Sequence, residues 1–547
     1  MNEALQKRES FWFLFFITLM LLVSCIPYVS GIMRSTENVR FMGIVHNLDD
    51  QVGYLALMRQ AHEGKMLFTN LYTAEHFEAL IFNPFFILMG FLSRIFDPVL
   101  VYHGARIVFG FSSLWLIYLL VRRVTSDQRE RWLAFILSTM AGGIFWIIWM
   151  VRNLPEFGAK QSLLNFFSHS TSVFMELMSA EAYTFFSLWC MPHLLVALTL
   201  QLGVSLIYIR YLETGKSVFL IASALLCNLL GTVHYYNVVT LYIVLFFYNV
   251  FLVLTKRLAL KKAAGDLLTF ALISIPPLIY GMWIVLSHPE YLAWMPRLKT
   301  PPFHQLLAAY GILSIFAFWY LFRFVRSRMW QNADWTTLFI VAWLIGQIAA
   351  LYLPFRQQHR FIQGFQIPLG IMAGIALSRY LMAAVIPKSR FAAYAMAGFL
   401  VTVALFPGFL RMGISINSLD PHTTNAFLHV DEIRAMDWLE KQRPQGVVLA
   451  SREHGLWLPA IAGCRVYQGH WCLTLYSQEK YLEYLSFIQS INEGKEEQAR
   501  QFLGKWHLSH IFLLRAQVSG AAADRIGLKE IYGNEKIVIY ETLRTDQ

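Results

Sequence analysis

Charge is the first thing this sequence is short of. Only 14% of its 547 residues are Asp, Glu, Lys or Arg, where a water-soluble chain carries roughly a quarter. Cysteine is scarce as well. Five cysteines are too few for a disulfide framework, and Cys25, Cys190 and Cys227 lie inside apolar runs, leaving only Cys464 and Cys472 in polar surroundings. No glycine-rich phosphate loop occurs. The basic residues behind the net charge of +11 form no continuous patch. They fall in short clusters between apolar runs, so they exclude a nucleic-acid surface and carry topology instead.

What the sequence has in quantity is apolar length, with 57% hydrophobic and 16% aromatic residues. A spanning helix needs about 20 mostly apolar residues. About eleven runs qualify, near 10–32, 99–122, 130–151, 183–211, 217–233, 236–255, 266–287, 304–325, 335–353, 362–383 and 391–411. The Leu22–Cys25 stretch after Lys7 and Arg8 mimics a lipoprotein cleavage site. Apolar residues continue to Ile32, however, so the first run reads as an uncleaved helix. The run 80–96 is cut by Asn83-Pro84 and closed by Asp97-Pro98, and is read as interfacial.

The positive-inside rule then orients the chain. Lys7/Arg8 place the amino terminus in the cytoplasm. The clusters Arg122 to Arg131, Arg210/Lys216, Lys256 to Lys262, Arg323 to Arg328 and Lys388/Arg390 follow on the same side. The one exception is Arg356, His359 and Arg360, which fall outside. Cytoplasmic loops are all short, which argues against direct use of ATP or a nucleotide sugar. The expected fold is an all-α polytopic membrane domain over 1–411, with a first extracytoplasmic loop at 33–98. A soluble extracytoplasmic α/β domain is expected over 412–547. In that tail, helices are expected near 431–441, 478–491 and 495–504 and through Pro459. Strands are expected near 447–451, 466–467, 509–514, 529–532 and 536–540. Gly469-His470 after a strand reads either as a ligand contact or, more plainly, as a structural turn.

Chemistry-bearing residues concentrate outside. Asp49 and Asp50 open an amphipathic helical stretch, 52–62, expected to lie on the membrane surface just beyond the first span. They read either as a helix cap or as a general base acting on an acceptor hydroxyl. Glu181 and His193 border one span, and His234-Tyr235-Tyr236 ends another. Arg356, His359 and Arg360 concentrate positive charge at the outer surface, where a planar guanidinium suits a phosphate. A lipid-headgroup anchor is the plainer reading of those arginines. Lys65, Glu75, His76 and Glu78 read as a solvated face.

The order of first span, acidic pair, "NLYTAEHFEALIFNPFFILMGFLSRIF" and "HGARIVFGFSSLWLIYLLVRR" resembles the GT-C superfamily of membrane glycosyltransferases. That group includes protein O-mannosyltransferases, lipid A aminoarabinose transferases and oligosaccharyltransferases. The resemblance covers about 400 residues in layout and implies a polyprenyl-phosphate sugar donor in the outer leaflet. It also implies a lipid, glycan or protein acceptor and a bacterial inner-membrane location. It assigns the role of catalytic base to Asp49 or Asp50, Asp49 being preferred, and the segment "YLPFRQQHRFIQGFQIPLG" suggests Arg356 and Arg360 as donor-phosphate contacts. Asp-Asp departs from the commoner Asp-Glu pair and leaves the division of labour between the two open. No cofactor is required, although two carboxylates suffice to bind a divalent cation with phosphate oxygens. Two other readings compete. A transporter or flippase of a lipid-linked precursor needs mid-membrane charge and broken, repeated helices, which the spans do not display. A non-catalytic envelope assembly protein leaves the clustered Asp, Glu, His and Arg without a purpose.

Overall fold

A computed structural model of the chain describes residues 3–144, 146, 179–293, 297–506 and 508–542. Among these, six helices are long and apolar enough to cross a membrane: Lys7–Met33, Pro98–Val124, Pro192–Thr214, Tyr235–Leu254, Gln358–Val385 and Arg390–Asn417. Two bent helix pairs are also apolar enough, each a broken span or a re-entrant loop. Leu260–Ser274 and Pro276–Ser287 meet at 56°, and Phe303–Tyr310 and Ile312–Arg326 meet at 107°. The first break falls at Pro276, which lacks a backbone donor. The second falls at Gly311, with φ at 47°. Ser217–Val233 and Trp335–Leu351 are apolar and shorter. The expected run 183–211 is also cut, at Met191, where Pro192 starts a new helix. The expected run 130–151 begins as the helix Gln128–Met140. Its last part, with most of the outer loop near 152–182, lies outside the described residues.

The chain divides into two compact units. The first comprises Met1–Ile26, His103–Trp283 and Arg297–Ile414 and is helical. Its tightest helix contact joins Gln366–Ala376 to Gln128–Met140. A side chain at Gly370 would stand 2.4 Å from the Ser138 backbone, and one at Gly374 would stand 2.2 Å from the Ala134 nitrogen. Small residues four apart let two backbones close to this distance where no hydrophobic drive separates protein from lipid. Two buried carboxylates in this unit are paired with arginines. Arg131 places Nε and Nη2 each 2.7 Å from the two Glu9 oxygens, and Arg379 grips Glu130 at 2.9 and 2.7 Å. Arg131 is therefore held inside protein on a carboxylate, and bidentate pairing offsets much of its desolvation.

The second unit comprises Pro27–Tyr102, Ile284–Pro296 and Ser415–Gln547. Its sheet follows the order β4-β3-β5-β7-β6, from β3 (Val447–Ala450), β4 (Arg465–Val466), β5 (Leu508–Leu514), β6 (Leu528–Gly533) and β7 (Ile537–Thr542). Strands β3, β4 and β5 run parallel, and β7 is antiparallel to β5 and β6. Helices Val430–Gln442, Arg452–Ile461, Ser477–Asn492 and Glu496–Trp506 complete the α/β tail, each within two residues of its expected place. Strand β1 (Val39–Phe41), from the first loop, pairs antiparallel with β2 (Phe427–His429), from the tail.

The rest of the first loop is built into the same unit. Asn83 caps the helix Pro84–Leu92 through the amides of Phe85 and Phe86. At nine residues this helix is about 14 Å long and cannot span. It packs against the helix Leu48–His62, with Gly90 set against Ala61 and the Met58 carbonyl. Val52, Leu55, Ala56 and Met58 are buried there, so protein covers the apolar face that the sequence suggested for a membrane surface. Glu75 is not a solvated residue either. It takes a 2.6 Å bond from the buried Lys480, which also bonds Thr73. All five cysteines are free thiols.

Candidate active site

The acidic pair stands at the start of the helix Leu48–His62. Neither carboxylate caps it. The residue ahead of the helix is Asn47, in the left-handed region at φ 49°, with no side-chain cap bond. Asn47 instead turns its amide onto Asp50, Nδ2 donating to Oδ2 at 2.7 Å. The other oxygen of Asp50 faces Nε2 of His470 across 3.5 Å. Asp50 is thus held on both sides. Asp49 differs. Among the described residues its carboxylate takes no hydrogen bond and forms no ion pair. Burial pushes its pKa up and Asp50 adds to the rise, while His470 and Arg452 pull it down, and the net shift is upward. A half-buried carboxylate with no bonded partner and a raised pKa has the properties of a general base.

His470 reaches this place because two chain segments touch without side chains between them. A Cβ on Gly455, in the helix Arg452–Ile461, would lie 2.0 Å from the Gln468 carbonyl. One on Gly469 would lie 2.3 Å from the Gly455 carbonyl. The crossing sets the turn after β4 beside the acidic pair. Asn70 Nδ2 bonds the Leu473 carbonyl at 2.8 Å, and Thr474 Oγ1 bonds the Tyr72 carbonyl at 2.7 Å. The ring of Tyr72 meets His470 edge-on, centroids 5.5 Å apart, and its hydroxyl is tied to the Leu456 carbonyl.

The remaining sequence-derived site residues belong to the first unit and gather there around one ion pair, Arg360 on Glu181. Glu181 is buried in a short turn, Ala180–Ala182. Burial pushes its carboxyl up, but Arg360, with His359 and His234, outweighs this and holds it at about 2. His234 caps the helix Tyr235–Leu254 by its backbone. Its Nδ1 lies 2.8 Å from Asn237 Oδ1, and its ring is 6.5 Å from that of the buried His193. Tyr235 stacks on Tyr236 at 4.1 Å, and the Tyr236 hydroxyl donates to Gln357. His359 is buried and Arg356 is exposed, the latter at a parallel bridge in which the Leu298 amide donates to its carbonyl. The basic cluster that broke the positive-inside pattern is therefore partly neutralised. Arg360 carries its own counter-charge.

His470, Asn47, Arg452 and Tyr72 are the neighbours of the acidic pair that sequence reading missed. His470 lies more than 400 residues from Asp50 and had been read as a turn, and no local pattern links the two. Asp50, His470 and Cys472 bring ligand atoms within 4.8 Å of one another, a spacing that invites a cation. The ring does not fit that use. His470 Nδ1 accepts the amides of Cys472 at 3.1 Å and Leu473 at 3.2 Å. The nitrogen of a neutral imidazole that has a lone pair to give is therefore already occupied.

The described residues form a multi-pass membrane protein, and its fold is like that of several solved structures. No family model matches the sequence, and no curated protein matches it. Solved structures carry the likeness. One is the oligosaccharyltransferase AglB of Archaeoglobus fulgidus in complex with an inhibitory peptide and a dolichol-phosphate. It matches at TM-score 0.52 and 13% identity, over 98% of this chain and 75% of that one. An Archaeoglobus fulgidus oligosaccharyltransferase tethered with an acceptor peptide matches at TM-score 0.51 and 13% identity, over 92% of this chain and 69% of that one. ArnT from Cupriavidus metallidurans, bound to undecaprenyl phosphate, matches at 0.51 and 11% identity, over 97% and 98%. At these identities the likeness is one of fold.

Proposed function

We propose that the protein is a glycosyltransferase, moving a sugar from a polyprenyl-phosphate donor to an acceptor at the outer face of the bacterial inner membrane. The observation that carries this reading is the contrast within the acidic pair: Asp50 takes a bond from Asn47 on one oxygen and faces His470 at 3.5 Å on the other, whereas Asp49 has no such contact among the described residues. The fold supports it, since neighbours of this fold are captured with dolichol-phosphate and undecaprenyl phosphate. Asp49 takes the proton of an acceptor hydroxyl as its oxygen bonds to the anomeric carbon. The bond from that carbon to the phosphate oxygen breaks, and polyprenyl phosphate leaves with the electron pair. Attack opposite the leaving group inverts the configuration. Within the first unit, the charge of Arg356 and of Arg360 is proposed to suit a phosphate group, Arg360 being held by Glu181. Glu181, His193, His234, Tyr235 and His359 shape the surroundings of that arginine.

The test is transfer from a polyprenyl-phosphate sugar in membranes holding the full-length protein. Asp49→Asn is expected to lower kcat by roughly 10²–10⁴ while donor binding persists. Transfer at the wild-type rate by Asp49→Asn would remove the base. Movement of the lipid across the bilayer with no transfer would replace the reading with a transporter.

A further inference from the structure

The carboxylate pair sits on the first loop, yet one of its partners comes from the far end of the chain. His470 is 1% exposed, and its ring is fixed from several directions. Nδ1 receives the backbone amides of Cys472 and Leu473, the Tyr72 ring stands at its edge, and its Nε2 faces Asp50. An acceptor of two N–H groups carries no proton of its own. In the neutral ring the proton then belongs on Nε2, the nitrogen that looks at Oδ1 of Asp50.

We propose that His470 is a positioning residue, whose Nε2–H holds the Asp50 carboxylate between itself and Asn47 and so leaves Asp49 as the member of the pair that takes a proton. The α/β tail thereby supplies part of the site instead of only covering it. His470 is not a metal ligand in this role, since its bare nitrogen is committed to the backbone. The charged and titratable groups around Asp49 are Asp50 on its own helix, Arg452 on the helix Arg452–Ile461, His470 on the turn after β4, and Tyr72. Loss of the His470 contact is felt first by Asp50 and through it by Asp49. The kinetic consequence rests on Asp49 acting as base, whereas the state of the ring does not.

Two measurements on the full-length protein separate these. In ¹⁵N-histidine-labelled protein, the His470 signal is identified by its loss in His470→Gln. It is expected to show a protonated Nε2 and a bare Nδ1 at neutral pH, unmoved by added Zn²⁺. A proton on Nδ1, or a shift of that signal on Zn²⁺ addition, overturns the proposal. In the transfer assay, His470→Ala is expected to lower kcat roughly ten- to a hundredfold, the worth of a hydrogen bond to a charged group, and to move the acidic limb of the pH profile. His470→Gln, whose amide keeps an N–H near the Nε2 position, is expected to recover part of the rate. Combined with Asp50→Asn, His470→Ala should add no further loss. Additive losses with an unmoved pH profile would mark His470 as merely structural. An absence of transfer in the wild type would defeat the proposed function and leave the ring assignment standing.

Discussion

Asp50 and Glu181 both spend their charge on a partner, while Asp49 keeps its own, and the difference has measurable consequences residue by residue. Glu181 is buried, and among the described residues its ion-pair partner is Arg360. Arg360→Ala is expected to destabilise the detergent-solubilised protein by roughly 3–5 kcal/mol, because a buried carboxylate is left unpaired. The double variant Glu181→Gln/Arg360→Met should recover most of that, as thermal unfolding would show. The depressed pKa fixes the sign of the acid response. The stabilisation from Glu181 is full above 4.5, its ordinary value, and is lost only as the pH falls through about 2. The infrared carboxylate band missing from Glu181→Gln should accordingly persist in the wild type at pH 4. At this scale the sequence was legible where chemistry is local. The acidic pair and the outer Arg-His-Arg cluster stand out by residue type and depth. What holds Asp50 does not, because Asn47 looks like an ordinary helix cap and His470 like a turn.

Elements were legible where a period could be counted. Most helices and strands of the α/β tail fall close to where alternation and turn residues place them, although Phe427–His429 and Gly520–Arg525 were not expected. The membrane runs were harder, since hydropathy gives apolar length but not continuity. Pro276, Gly311 and Pro192 cut runs that composition alone joins. Glycine shows the same divide. Gly370 and Gly374 stand against the backbone of a neighbouring helix, whereas Gly398 has nothing within 4 Å. Gly370→Val is expected to force that contact open and cost at least 1–3 kcal/mol. Gly398→Ala should be neutral or stabilising by about 0.5–1 kcal/mol. The residual fold after heating of each variant, measured by size-exclusion chromatography, checks the pair.

At the scale of the molecule, the second unit is assembled from three separated stretches of chain. Its pairings join the first loop to the tail, as β1 to β2, Asn70 to Leu473 and Lys480 to Glu75. No period in the sequence reports contacts this remote. A chain ending at residue 414 is expected to lose the fold of its first loop and to be cut by protease within 33–98, where the full-length protein resists. Cutting confined to the new carboxy terminus would show that the loop folds alone.

The span of those contacts also sets a clock. Asn70 and Leu473 are 403 residues apart, which at roughly 5–20 residues per second means about 20–80 s of synthesis between them. Asp49 is translated early, yet the histidine that steadies its neighbour is among the last residues to emerge. On the proposed reading, a chain stalled before His470 is expected to enter the bilayer with its acidic pair present but not yet steadied.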